Sequence, residues 1–315
     1  MIINSTDTLK HAWTGGVNNP VWGQLNLNDD RFPDLVLFDS YDNSFIPFIN
    51  QGGDKPTYQY APAYLKAFKD CKCEYWARFK DYDHDGDMDI FCSNNSDVSI
   101  YTNKPKNGEA YFELEVASLN AIYYRNDVFN LLSSKVFLPD LEDVDGDGDL
   151  DFLTWPLLIN APEIYINIGV DSFNNPDTVV YKLGQTCWGH FAENGLSGLI
   201  TVRDTIGCPL GDFDPVANGC YDKGGKWDPT GSQVMEKHLG GTNLLIDMDG
   251  DQIFDLMTGD LGQANISYLH NCGDTGLCLY GYRDLQFFPP MTRRLICFKM
   301  WVLPILILTV MTSAT

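Results

Sequence analysis

Four short stretches of the chain share a nine-residue pattern in which oxygen-bearing side chains occupy positions 1, 3, 5 and 9. They are residues 26–34, 81–89, 143–151 and 247–255, hereafter the first to fourth loops. A hard cation such as Ca²⁺ takes six to eight oxygen ligands at about 2.3–2.6 Å. Carboxylates this close repel one another strongly without a cation. Repetition at intervals of 55, 62 and 104 residues therefore predicts calcium loops.

The residues after each loop distinguish this pattern from an EF-hand. An EF-hand has a chelating Glu at position 12 and helices on both sides. Here position 12 holds Leu37, Cys92, Thr154 and Thr258. The ninth position instead leads into an apolar strand, a short turn and a second strand, which ends at Asn50, Asn103, Asn167 and Asn271. The repeated unit is thus loop, strand, turn, strand.

Repeats of about 55–60 residues built from short strands are typical of β-propellers. Apolar strands also precede the loops, as in Val136–Pro139 and Asn243–Ile246, so each unit has room for the four antiparallel strands of one blade. We therefore predict an all-β chain. It would form a partial β-propeller of about four to five four-stranded blades over residues 1–286.

This unit resembles the FG-GAP/VCBS repeat, the calcium-loop β-propeller type also found in integrin α-subunit heads. The likeness covers roughly residues 10–285, and the phrases Gly15–Pro20 and Cys187–His190 resemble secreted repeat proteins of Bacteroidetes-type bacteria. The resemblance implies structural Ca²⁺ held by the side chains at positions 1, 3, 5 and 9 and the backbone carbonyl at position 7. The implied ligands are Asp81, Asp83, Asp85, Asp89 and the Asp87 carbonyl; Asp143, Asp145, Asp147, Asp151 and the Asp149 carbonyl; and Asp247, Asp249, Asp251, Asp255 and the Ile253 carbonyl.

The first loop departs from the family pattern. Its oxygen side chains are Asn26, Asn28, Asp30 and Asp34, so amides replace two carboxylates, and Arg31 lies where the turn usually has glycine. Fewer ligand charges weaken calcium binding. We therefore expect cations in the second, third and fourth loops and leave open whether the first loop binds one.

The composition favours an extracellular protein. The net charge is −22, which argues against nucleic-acid or anionic-membrane partners, and three bound Ca²⁺ would bring the charge to −16. No Gly-x-Ser-x-Gly, His-Glu-x-x-His or phosphate-loop motif accompanies the five histidines. We predict a secreted or cell-surface, non-catalytic scaffold for adhesion or for binding an extracellular protein or glycan. The alternatives are a lyase-type polysaccharide-active enzyme and a structural module of a larger secreted protein.

The nine cysteines indicate disulfides in an oxidising compartment. Cys272 with Cys278 and Cys208 with Cys220 would each close a small loop. Cys71 and Cys73 cannot form an ordinary bridge, because alternate residues of a strand face the same side but lie too far apart. Residues 187–240 are rich in Gly, Pro and Cys and are interpreted as a long surface insertion. That insertion is the expected place for protein-specific binding.

Both ends of the chain are unusual. The first residues lack the basic and apolar regions of a signal peptide. The apolar tail at residues 287–315 can be interpreted as a propeller strand or as a membrane insertion by residues 295–311. Its 12 apolar residues after Lys299 are short for a span of roughly 20. The interpretation that we favour is a shifted or truncated reading frame from near Phe287, because a shifted frame can encode a further calcium loop starting at residue 306.

Overall fold

The computed structural model describes residues 2–3, 8–9, 16–123, 126–156, 161–186, 188–193, 200–202, 241–248, 250–260, 266–269 and 271. These residues form two compact units, one ending at Ser118 and the other beginning at Leu119. Each unit contains two blade-type sheets, so the predicted fold class, all-β of the β-propeller type, is confirmed. A fifth repeat would fall in residues 287–315, which lie outside the described residues.

The first unit contains two regular four-stranded antiparallel sheets. A short pair of strands, β1 (Ile2–Ile3) and β2 (Thr8–Leu9), precedes them. The first sheet has the order β3 (Pro20–Leu25), β4 (Asp34–Asp39), β5 (Ser44–Asn50) and β6 (Tyr58–Tyr60). After a 3-10 helix at Pro62–Phe68, the second sheet comprises β7 (Glu74–Lys80), β8 (Asp89–Asn94), β9 (Asp97–Asn103) and β10 (Phe112–Val116).

Aromatic side chains form the core of this unit. Phe68, at the end of the 3-10 helix, stacks on Phe45 of β5 at a centroid distance of 4.5 Å and on Phe112 of β10 at 5.2 Å. Gly23 of β3 lies against Phe79 of β7, where an added Cβ would come within 2.0 Å of the ring. The ring therefore requires glycine at this position, and the two sheets pack closely through it.

The second unit departs from the regular four-stranded pattern. Its larger sheet has six strands in the order β12 (Val128–Asn130), β11 (Asn120–Ile122), β17 (Tyr181–Gln185), β16 (Glu163–Asn167), β15 (Asp151–Thr154) and β14 (Asp140–Glu142). The hairpin β11–β12 extends the sheet because β11 pairs in parallel with β17. A five-residue helix, α1 (Gly169–Phe173), connects β16 to β17. This sheet is thus a four-stranded blade with two added strands.

One strand of the fourth sheet comes from an earlier part of the chain. Its order is β13 (Phe137–Leu138), β20 (Gly241–Ile246), β21 (Asp255–Asp260) and β22 (Ile266–Leu269), with β13 parallel to β20. Two further strands, β18 (Phe191–Glu193) and β19 (Ile200–Val202), pair with each other. The core of this unit includes Trp155, whose indole N–H donates to Asn243 Oδ1 at 2.8 Å. No helix among the described residues is long and apolar enough to cross a membrane.

A disulfide joins Cys73, just before β7, to Cys92 of β8, with Cα atoms 5.4 Å apart. When the strand register is counted from the second loop, Cys92 lies opposite Ala77 and not opposite Cys73. The sequence therefore did not predict this disulfide. A β-bulge that includes Tyr75, at a φ of 68°, shifts the pairing so that Glu74 lies opposite Ser93. The cysteine pairs predicted from the sequence lie outside the described residues, as does most of the 187–240 insertion.

Candidate metal centres

Each of the four loops connects two neighbouring antiparallel strands of a blade: β3 to β4, β7 to β8, β14 to β15, and β20 to β21. The ninth-position aspartate is the first residue of the second strand in every case. Its side chain is almost completely buried, with exposed fractions of 0–1% for Asp34, Asp89, Asp151 and Asp255. A buried carboxylate needs hydrogen-bond donors or a cation. The four loops provide those donors in the same way.

The ninth-position carboxylate joins three strands through two backbone hydrogen bonds. One oxygen accepts the N–H of loop position 2, at 2.9, 3.2, 2.9 and 3.2 Å in loop order. The other accepts the N–H of an asparagine at the end of the next strand along the chain, at 2.8, 2.8, 2.9 and 2.7 Å. This asparagine is the last residue of β5, β9 and β16 and lies two residues after β22. We call this arrangement the carboxylate clasp. The asparagines are Asn50, Asn103, Asn167 and Asn271, which explains the asparagine that the sequence repeats at that point.

Burial raises the pKa of clasp carboxylates. Loss of water raises the pKa of Asp89 to about 7 and the pKa of Asp151 to about 8, although the backbone N–H groups act in the opposite direction. Burial is also the largest cause of the raised pKa of Asp34. A cation beside such a carboxylate favours its ionised form. These carboxylates are therefore suited to a site in which a cation supplies the missing positive charge.

Two loops bring three carboxylates together. One oxygen each from Asp81, Asp83 and Asp89 lies within 4.8 Å of the others, and the same holds for Asp143, Asp145 and Asp151. These two triads can hold a metal ion, and they contain positions 1, 3 and 9 of the predicted ligand sets. The position-5 aspartates, Asp85 and Asp147, lie outside the triads.

Orphaned oxygens in the same loops show that the residues fit a cation. Asp81 Oδ1, Asp147 Oδ2 and Asp149 Oδ1 are buried and accept no hydrogen bond from any described residue. A buried carboxylate oxygen without a donor is costly. Ca²⁺ prefers carboxylate oxygens of this kind. The ligand set of the second and third loops thus matches the chemistry of a hard divalent cation.

The backbone of these loops turns around the first aspartate. Position 6 has a positive φ in the second and third loops, 93° at Gly86 and 102° at Gly148, a conformation that favours glycine. The N–H groups of both glycines donate to the position-1 aspartates, Asp81 and Asp143, at 3.1 and 3.0 Å. Gln252 takes the same conformation in the fourth loop and donates to Asp247.

The fourth loop can be described only in part, because Asp249 lies outside the described residues. Asp247 accepts the N–H groups of Gly250 and Gln252 at 2.7 and 3.0 Å, and Asp251 accepts that of Ile253 at 2.9 Å. Tyr268 on β22 donates its hydroxyl to the clasp residue Asp255 at 2.8 Å. The loop thus shares its turn with the second and third loops, and whether its carboxylates converge remains a prediction.

The first loop is closed by amide groups. The Asn28 side-chain N–H donates to Asp30 Oδ2 at 2.9 Å, and the Asn26 side-chain N–H donates to the Asp30 carbonyl oxygen. Arg31, at position 6, lacks the positive φ of the other loops. The amides therefore satisfy oxygens that a cation would bind elsewhere. The clasp of Asp34 is nevertheless intact, so the strands are joined without the metal ligand set.

Tyrosines near the clasps were not found from the sequence. Tyr181 on β17 is fully buried and donates its hydroxyl to the Leu150 carbonyl of the third loop at 2.9 Å. Tyr181 and Tyr268 thus both donate a hydroxyl hydrogen bond to a calcium-type loop or its clasp. Tyrosine at these strand positions is a weak signal, since it is also common in strands for packing alone.

Comparisons with known proteins leave the family open. No protein-family profile and no curated protein matches the chain. A solved structure concerning specific recognition of non-reducing terminal N-acetylglucosamine by a lectin of Agrocybe aegerita aligns with 88% of this chain and 69% of its own, at 16% identity and a TM-score of 0.40. At that identity and TM-score no function is transferred. The resemblance to FG-GAP/VCBS repeats therefore remains a prediction.

Proposed function

We propose that this chain is a calcium-stabilised β-propeller protein of the FG-GAP/VCBS type, secreted or at the cell surface. In this proposal, it acts as a non-catalytic scaffold that binds an extracellular glycan or protein. The observation that carries the calcium part is the pair of aspartate triads, each of which includes the clasp aspartate of its loop, together with the orphaned carboxylate oxygens of the same two loops. The disulfide between Cys73 and Cys92 supports an oxidising compartment.

The expected role of calcium is structural. Extracellular modules bind calcium with a Kd of about 10⁻⁴ to 10⁻³ M. At the tighter end of that range and millimolar calcium, each occupied site adds about 1.5–2 kcal/mol to the free energy of unfolding. We propose occupancy of the second, third and fourth loops. The amide-closed first loop is proposed to take no cation, which gives a stoichiometry of three.

Thermal unfolding of the full chain across a calcium titration tests this proposal. The test variant combines Asp83→Ala with Asp145→Ala, and the control combines Asp54→Ala with Asp127→Ala, two exposed acids outside the loops. Both pairs remove the same charge, so a difference between the two variants reports on the loops and not on the net charge. We expect calcium to raise the Tm of the wild type and of the control by several degrees. The loop variant should lose most of that rise. An unchanged Tm in the wild type, or an equal rise in the loop variant, would refute calcium binding.

The scaffold role is tested separately, by binding to a glycan array and to a panel of extracellular proteins, with calcium and with chelator. Calcium-dependent binding without product formation is the expected result. Release of unsaturated oligosaccharides from a polysaccharide would instead establish the lyase-type alternative.

A further inference from the structure

The third loop contains a buried carboxylate that the family pattern does not explain. Asp149, at position 7, is 1% exposed, whereas Asp87 at the same position of the second loop is half-buried. Asp149 Oδ2 accepts the backbone N–H of Val170 at 3.1 Å. Asp149 Oδ1 is buried and accepts no hydrogen bond from any described residue. Half of this carboxylate is therefore turned inward without a donor.

The groups facing Asp149 are other acids of the same loop. Burial is the largest cause of the raised pKa of Asp149, which is about 6, and the Val170 N–H acts in the opposite direction. Repulsion from Asp147 and Asp145 and a side-chain hydrogen bond with Asp147 raise this pKa further. Asp147 Oδ2 is also buried and orphaned. Asp149 in turn contributes to the raised pKa of the clasp residue Asp151. Asp149 thus lies within electrostatic reach of two members of the triad, Asp145 and Asp151.

The position of Asp149 is set by the end of β16. Asn167 Oδ1 accepts the N–H groups of Gly169 and Val180 at 3.2 and 3.0 Å, which fixes the start of α1 and hence the Val170 N–H. The corresponding asparagine of the second sheet, Asn103, accepts the N–H of Tyr111 instead. Among the described residues, the Asp87 carboxylate receives no such backbone anchor. The burial of Asp149 is therefore particular to the third loop.

We propose that the Asp149 side chain is a positioning residue that adds a fifth carboxylate charge to the cation site of the third loop, and that this loop is the tightest cation site of the chain. The proposal rests on the proposed calcium binding. A buried charge interacts more strongly than an exposed one, because less solvent screens it. The half-buried Asp87 gives the second loop the same number of carboxylates with a weaker field. The calcium affinities of the two loops therefore differ because Asp149 is more deeply buried than Asp87, and not because the loops differ in their number of acids.

Calorimetric titration of the full chain with CaCl₂ tests the ranking, with Asp149→Asn as the variant and Asp87→Asn as its matched control. Asparagine retains an oxygen that can accept the Val170 N–H. We expect Asp149→Asn to weaken the tightest calcium-binding event about 10-fold or more, as outer groups of a metal site often do. Asp87→Asn should change that event far less. The loss should be greater for Tb³⁺ than for Ca²⁺, because charge is the cause.

Thermal unfolding in chelator shows whether Asp149 contributes charge to the cation site or only stabilises the fold. Without metal, Asp149→Asn removes an unpaired buried charge, so the Tm should stay equal or rise. A Tm that falls as much in chelator as in calcium, or equal calcium affinities for Asp149→Asn and Asp87→Asn, would overturn the inference alone. A wild type that binds no calcium would overturn the proposed function, and the inference with it.

Discussion

At the residue scale, the chain contains acids whose surroundings oppose ionisation even outside the loops. Glu163 on β16 accepts the hydroxyl of Tyr165 at 2.8 Å, and Tyr165 in turn lies 3.4 Å from the Tyr123 hydroxyl. Burial raises the pKa of Glu163 to about 7, although the hydrogen bond from Tyr165 acts in the opposite direction. An acid with a raised pKa holds its proton longer in the folded state than in the unfolded chain.

This pKa predicts a pH dependence of stability. Between the ordinary glutamate pKa of about 4.3 and the folded value of about 7, the folded state binds more protons at Glu163. The free energy of unfolding therefore falls as pH rises through that window, and the contribution is fully present only below it. Urea unfolding in chelator should show a flatter pH profile for Glu163→Gln than for the wild type. Parallel profiles for the two proteins would contradict this prediction.

At the element scale, the carboxylate clasp connects three neighbouring strands of each blade. In the second blade, Asp89 receives the N–H of Tyr82 after β7 and the N–H of Asn103 at the end of β9. Asp85, in the same loop, accepts one N–H, that of Asp87, and is exposed. The two aspartates therefore have different roles, although the sequence pattern treats them alike.

Replacing the clasp should destabilise the chain even without metal. Asp89→Ala leaves two buried N–H groups without an acceptor, each costing about 1–3 kcal/mol. Urea unfolding in chelator should show a loss of about 2–6 kcal/mol for Asp89→Ala and little change for the control Asp85→Ala. Equal losses in the two variants would mean that the clasp adds nothing beyond the general charge of the loop.

At the scale of the whole molecule, excess negative charge opposes folding. The chain carries 43 acidic and 21 basic side chains, and three Ca²⁺ would reduce the net charge from −22 to −16. Self-repulsion weakens as salt screens it over a Debye length of about 10 Å at 0.1 M. We expect added NaCl to raise the Tm more in chelator than in saturating calcium. The same salt effect in both conditions would show that the loop charges are not neutralised by the metal.

Several features of the fold and the candidate site followed from local patterns. The ninth-position aspartates, the strands after them and the terminal asparagines repeat at constant spacing, and a strand's period of two relates such residues directly to geometry. The first loop was expected to differ because Asn26 and Asn28 replace carboxylates, and their amides do close that loop. The disulfide between Cys73 and Cys92 could not be predicted, because a bulge at Tyr75 changed the register.

The sequence by itself determined the repeated unit and the candidate metal loops, because both depend on residues a few positions apart. The tertiary structure alone decided that the clasp aspartates use both oxygens on backbone N–H groups. It also decided that β11 and β13 join distant strands in parallel and that Asp149 is buried while Asp87 is half-buried. Burial and long-range pairing arise from contacts between segments far apart in the chain, which no local pattern encodes.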